Sequence, residues 1–289
     1  SDGVLKFDSI VDKTKTQTVT LSGDVNLTGT GIVGIGKDSE AQEFKGAFNG
    51  GNHTLTLDIG TVYGTGVLGS DNAAGQLYAR RSDKKDAHYS LAMIPFSENV
   101  TVSNVIIDGK INCSISKNVS QTTDEKCPAF VSSVLGLASG TTTLENVTVS
   151  TTISVTEDTK AQKVNIWQSG FVGRCQGTTL DVTNCTWGSS SSLSDKRDKD
   201  EHRIGGLAAE VMGGCTVTVK DSVLSGTINS KSTQNALVGG MIAVSRGETE
   251  GNINNKPSTI NISKVKVDGE KINTEATSTS GGLLGYKWQ

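Results

Sequence analysis

The sequence predicts an all-β protein, a right-handed parallel β-helix of roughly six or seven coils with N-terminal capping strands and protruding loops. Three observations carry that expectation. The 289 residues include 34 glycines but only 3 prolines and 4% aromatics. Thr, Ser, Asn and Val dominate the rest, a mixture of pleated-sheet formers and turn formers. Stretches rich in Ala, Leu and Glu at helical spacing are nearly absent. Finally, two separate columns of short apolar segments recur along the chain with nearly the same period.

The first column is TVSNVIIDGKI (101–111), TLENVTVSTTI (143–153), DVTNCTWGSSS (181–191), TVKDSVLSGTI (218–228) and NISKVKVDGEKI (261–272). Its third slot holds Asn104, Asn146, Asn184, Asp221 and Lys264, stepping by 42, 38, 37 and 43. Four of the five segments end in Ile, the last one position late. The second column is VLGLAS (134–139), GFVGRC (170–175), GGLAAE (205–210), GGMIAV (239–244) and GGLLGY (281–286). Its anchors Leu135, Phe171, Leu207, Met241 and Leu283 step by 36, 36, 34 and 42.

A unit of this length, with about three short apolar segments, buries its apolar face only when neighbours stack on it. Parallel stacking puts like residues above like, so an Asn at a turn can bond to the Asn one coil away. Glycine before an apolar residue allows a sharp corner and close approach. Right-handedness follows from the hand of parallel crossovers. A β-propeller has a similar period, but it uses four strands per blade and aromatic signatures not found here.

The opening stretch FKGAFNGGNHTLTL (44–57) is read as corner chemistry, with Gly50, Gly51, Asn52 and His53 as structural residues. Asn104, Asn146, Asn184 and Asp221 are assigned the same kind of role. Residues 1–43 are expected to form an N-terminal cap and first strands, and 44–289 a single continuous β-helix. The abrupt ends suggest a fragment of a larger protein.

Charge and chemistry narrow the function. With 27 basic and 30 acidic residues the net charge is −3, which argues against nucleic acid as a partner. No apolar run reaches the ~20 residues that span a bilayer. Five cysteines occur without a CxxC pair, so no zinc site is expected. Cys113 and Cys127 flank a polar loop and could close it as a disulfide, which suits a secreted protein. Buried thiols in strands are the plainer alternative, as at Cys185.

Polysaccharide-cutting β-helix enzymes need clustered carboxylates on an outward strand face. The alignment instead stacks Ser103, Glu145, Thr183, Lys220 and Ser263, beside Thr143, Asp181, Thr218 and Asn261. Neither row repeats a carboxylate. No nucleophile elbow, phosphate loop or HExxH occurs. No catalytic residue, cofactor or metal is therefore assigned.

Two charged inserts are the candidates for contact with a ligand: YARRSDKKDAHY (78–89) and LSDKRDKDEHR (193–203). Tyr78, Arg80, Arg81, Lys84, His88 and Tyr89 of the first, and Lys196, Arg197 and His202 of the second, could touch an acidic glycan or a protein. The plainer reading is a solvated loop, with both histidines at the surface. Trp187 aligns with Ile107, Val149, Leu224 and Val267 and is assigned to the core. Inserts at 114–128, 157–163, 189–203, 229–236 and 273–280 share one point in the period. They are expected to project from one edge as a ridge, while 246–257 leaves from another corner.

GFVGRCQGTTLDVTNCTWGS (170–189) resembles the GLUG repeat of bacterial surface proteins, with its Gly-Gly-Leu-apolar-Gly followed by Asn-Cys. GGLAAEVMGG, GGMIAV and GGLLGY fit the first half of that pattern, and only Asn184–Cys185 fits the second half fully. The stretch from LSGDVNLTG (21–29) to residue 57 is similar to the segment that often precedes such repeats, with Asn49 where Asp is usual. The resemblance implies an extracellular or cell-surface module, adhesin-like and non-catalytic, acting as a monomer on a glycan or protein. It also admits a structural stalk or an accessory domain of a larger secreted enzyme such as a protease. A β-helix polysaccharide lyase or glycoside hydrolase is the remaining alternative.

Overall fold

The computed structural model describes residues 16–29, 43–63, 66–68, 79–83, 86–115, 119–121, 129–157, 165–176, 179–197, 202–231, 236–247, 256–274 and 279–288. Among these the chain is all strand and turn, stacked in parallel as a β-solenoid. No helix among the described residues is long and apolar enough to cross a membrane.

One coil shows the plan. Ile166–Ser169 lies in a seven-stranded sheet, and the chain bends at Gly170 and Phe171. It then runs through Val172–Cys175, Thr179–Thr183, Thr186–Trp187 and Ser192–Asp195, all in the main sheet of 18 described strands. The next coil repeats the plan from His202–Gly205 to Thr227–Ser230, and the one after from Ala236–Gly239 to Lys271–Thr274. The preceding coil joins Ala129–Ser132 to one long strand, Leu135–Glu157. These four complete turns are extended by partial coils at both ends, so the six or seven coils expected from the sequence resolve into about four full ones.

The three coils from Ile166 to Thr274 each divide into five strands rather than three, and the break before the fourth strand falls at a left-handed residue. Asn104, Asn146, Asn184, Asp221 and Lys264 all have positive φ, between 49° and 55°. Asn and Asp tolerate this conformation best among residues with a side chain. Stacking then turns the repeated strain into a ladder. Asn104 Nδ2 donates to Asn49 Oδ1 at 3.2 Å, Asn146 Nδ2 to Asn104 Oδ1 at 2.9 Å, and Asn184 Nδ2 to Asn146 Oδ1 at 2.6 Å. At the next rungs Lys264 Nζ lies 3.6 Å from Asp221 Oδ1.

Inside, like residues stack on like. Ile107, Val149, Trp187, Leu224 and Val267 occupy one register column. Trp187 is far larger than its neighbours and fits because glycines give it room. A Cβ on Gly206 would lie 2.7 Å from its Cε3, and one on Gly170 would lie 3.0 Å from its Cδ1. The bends carry their own coil-to-coil bonds: the Gly170 N–H donates to Gly206 O, and the Gly206 N–H to Gly240 O, each at 3.0 Å.

Two details correct the alignment. Leu135 is paired with Val172, so the residue matching Phe171 in the second column is Val134. The missing Ile of the third segment is Leu193, which pairs with Ile153 and Ile228. A two-residue turn at Ser189 and Ser190 delays it.

The opening stretch lies within the strand Phe44–Tyr63. Pairing with Ile94–Ile115 slips between Asn49 and His53, where Gly50, Gly51 and Asn52 intervene. Gly51 and Asn52 have φ of 60° and 65°. Asn49 closes the ladder, its Oδ1 also accepting the Gly51 N–H at 3.0 Å. His53 Nδ1 lies 3.7 Å from Asp24 Oδ1. Upstream, Gln17–Thr20 and Val25–Gly29 already pair in parallel with Phe44–Tyr63, so the main sheet begins before residue 44.

Candidate binding edge

In each coil the main-sheet run ends within two residues of one register position, and the second sheet resumes at matching positions. On the exit side Tyr63 pairs with Ile115 and Ile115 with Glu157. Likewise Val155, Asp195, Ser230 and Thr274 form one row. On the return side Ala129, Ile166, His202 and Ala236 form another row. The chain therefore leaves and re-enters at one edge, coil after coil. Most residues between these points lie outside the described ones.

The first charged insert joins this edge through a hairpin. Ala79–Asp83 pairs antiparallel with Asp86–Leu91, setting Arg80 opposite Tyr89 and Arg81 opposite His88. The hairpin extends the seven-stranded sheet, because Tyr89 pairs in parallel with Ala129. Four of the six residues proposed for this insert are thus brought together on one two-stranded unit. Tyr78 and Lys84 lie outside the described residues.

The second insert is different, and the expectation is corrected. Ser192–Asp195 is a coil strand and His202 begins another. Lys196 is exposed, but Arg197 and His202 are fully buried. Alternation along Ser192–Asp195 turns Asp195 inward, in the row of Cys113, Val155 and Ser230. An inward carboxylate needs partners that replace its lost water. Arg197 supplies them with Nη2 2.7 Å from Oδ2, Nε 3.0 Å from Oδ1 and its own N–H 3.1 Å from Oδ1. His202 Nδ1 approaches Oδ2 at 3.2 Å. These two residues hold the edge together from within and do not face a ligand.

A second buried charge cluster escaped the sequence reading. Glu210 takes the register position of Arg174 in the coil before it. Arg174 Nε lies 2.6 Å from its Oε2 and Arg246 Nε 2.6 Å from its Oε1, where Arg203 Nη1 also bonds. Burial pushes the Glu210 carboxyl up, but the three guanidiniums outweigh it and hold its pKa at about 2. Trp167 forms the wall, with the Arg203 guanidinium 4.1 Å and the Arg174 guanidinium 4.6 Å from its ring centre. Phe130 tilts against Trp167 at 5.3 Å. The signal was present in the second column, where Leu137, Arg174, Glu210 and Val244 share one slot.

Outward on the main sheet, the rows run as the alignment places them. Ser103, Glu145, Thr183, Lys220 and Ser263 form one row, and Thr143, Asp181, Thr218 and Asn261 the other. Each of Glu145 and Asp181 has only hydroxyl-bearing neighbours along its row. Cys185 is buried, and burial pushes its thiol up to about 11, away from nucleophilic use. Cys113 is also buried, whereas Cys127, its proposed disulfide partner, lies outside the described residues.

No protein-family model, curated protein or solved structure matches the chain.

Proposed function

We propose that this chain is an extracellular, non-catalytic display module that binds a glycan or a protein along the edge where its coils exit and return. The observation that carries the proposal is the register of those points: connections of different length and sequence hang from equivalent positions on one rigid stack. Such a stack holds neighbouring loops at a fixed spacing and so limits the entropy lost when several engage one ligand. The hairpin that carries Arg80, Arg81, His88 and Tyr89 continues the sheet on the return side of the same edge. The resemblance to GLUG-repeat surface proteins points the same way.

The test is a glycan array and a cell-attachment assay, followed by replacement of residues 116–128, 158–164, 198–201, 232–235 and 275–278, one segment at a time, with short Gly/Ser linkers. Saturable binding that weakens at least tenfold in one or more replacements, or in Arg80→Ala/Arg81→Ala, supports the proposal. Binding unchanged in every variant contradicts it.

A second reading, a stalk or accessory domain of a larger secreted enzyme, is favoured by the hydroxyl-rich outward rows of the main sheet. It predicts no saturable binding in either assay. Turnover of an acidic polysaccharide would overturn both in favour of a lyase or hydrolase.

A further inference from the structure

Cys175 and Cys215 meet inside the solenoid. Cys175 ends the strand Val172–Cys175, and Cys215 immediately precedes Thr216–Lys220 in the next coil. Both lie at the corner where each coil turns from its second to its third strand, and both are fully buried. Their sulfurs are 3.1 Å apart, although 40 residues separate them in sequence. That is inside van der Waals contact and about 1 Å longer than a sulfur–sulfur bond. The backbone already clamps the corner, because the Met212 N–H donates to Cys175 O at 2.8 Å and the Cys215 N–H to Met212 O at 3.4 Å.

We propose that Cys175 and Cys215 are a disulfide-forming pair that staples two successive coils. The reaction is thiol–disulfide exchange with an external disulfide, either a small molecule or an oxidoreductase. One cysteine thiolate attacks the external disulfide, giving a mixed disulfide and releasing one thiol. The second cysteine displaces the other thiol, so two hydrogens and two electrons pass from the pair to the oxidant. Only the thiolate attacks, and the hydrogen bond with Cys175, together with burial, holds the Cys215 thiol far above its ordinary range. The bond therefore forms while the corner is still open, during folding, and is then sealed from reductants.

The adjacent coils are already paired strand to strand, so the crosslink acts mainly on the unfolded chain. Closing a loop of 40 residues raises the melting temperature by on the order of 10 °C.

The test refolds the full chain from denaturant with oxidised glutathione, alkylates under denaturing conditions and maps the linked peptides by mass. Trypsin leaves Cys175 and Cys185 on one peptide, so the mapping is repeated in Cys185→Ser. The expected result is a link between residues 175–196 and 204–220 that persists in Cys185→Ser. The oxidised chain should also melt higher than the reduced one, a difference lost in Cys215→Ser. Alkylation of both Cys175 and Cys215 after oxidative refolding, or a link from either to another cysteine, overturns the proposal. Fragmenting the linked peptide between Cys175 and Cys185 in the mass spectrometer makes the same assignment in the unmutated chain, so the matter is decided even where a serine variant fails to fold.

Discussion

Glu210, fully buried, and Glu270, partly buried, lie in successive coils of the same plan, and their carboxyls respond in opposite directions. Glu210 sits among three arginines, and its pKa falls from 4.5 to about 2. Glu270 stands at the last described d-to-e corner, the turn between the fourth and fifth strands of a coil, level with Gly226. It reaches toward Gly240, much as Trp187 reaches toward Gly206 one coil earlier. Among the described residues its buried Oε1 has no hydrogen-bond partner, and burial raises its pKa to about 7. The neighbours supplied by adjacent coils decide whether a carboxylate withdrawn from water keeps its charge.

The largest expected effect comes from removing the better-partnered acid. Glu210→Ala leaves three guanidiniums without their shared carboxylate, and urea unfolding should show a loss of about 3–5 kcal/mol. Trp187→Ala, which empties an apolar slot in the neighbouring core, should cost about 3–5 kcal/mol by the same measurement. A loss from Glu210→Ala no greater than that of an exposed acid such as Glu145→Ala would show that the three arginines do not depend on Glu210.

The pH dependence of unfolding separates the two acids. The folded pKa of Glu210 is depressed, so its contribution is complete above about 4.5 and disappears as pH falls through about 2. Glu270 has the opposite sign. Between 4.5 and about 7 the folded state holds a proton that the unfolded state has lost, so stability declines as pH rises through that window. Glu270→Gln should abolish the decline and leave the acid-side loss unchanged. The smallest effect is at the ladder: Asn146→Ala should cost about 1–2 kcal/mol, because it removes two rung bonds and puts Ala at positive φ. Asn146→Gly, which relieves the backbone but not the bonds, should cost less.

The sequence made the stack legible because stacking repeats chemistry. The left-handed residues surfaced as a column of Asn and Asp, the interior as a column of Val, Ile and Leu, and Trp187 as an oversized member of that column. What stayed hidden depended on contacts between columns. Arg197 and His202 read as surface charge because nothing local says that Asp195 turns inward to meet them. Glu210 and Arg174 each look like ordinary exposed residues until their register is known. The slip at Leu135 and the delayed Leu193 show the same limit, since a one- or two-residue offset in a turn leaves the apolar pattern intact but changes the partner.

The parallel register places the interior, the ladder and the loop edge together. It is tested by Thr143→Cys paired with Asp181→Cys, adjacent rungs of one outward row. The control is Thr143→Cys with Thr183→Cys, two residues out of register on the same face. After mild oxidation and mass mapping, a crosslink is expected in the first pair, with the native circular dichroism spectrum, and none in the second. Crosslinking of the second pair in preference to the first would contradict it.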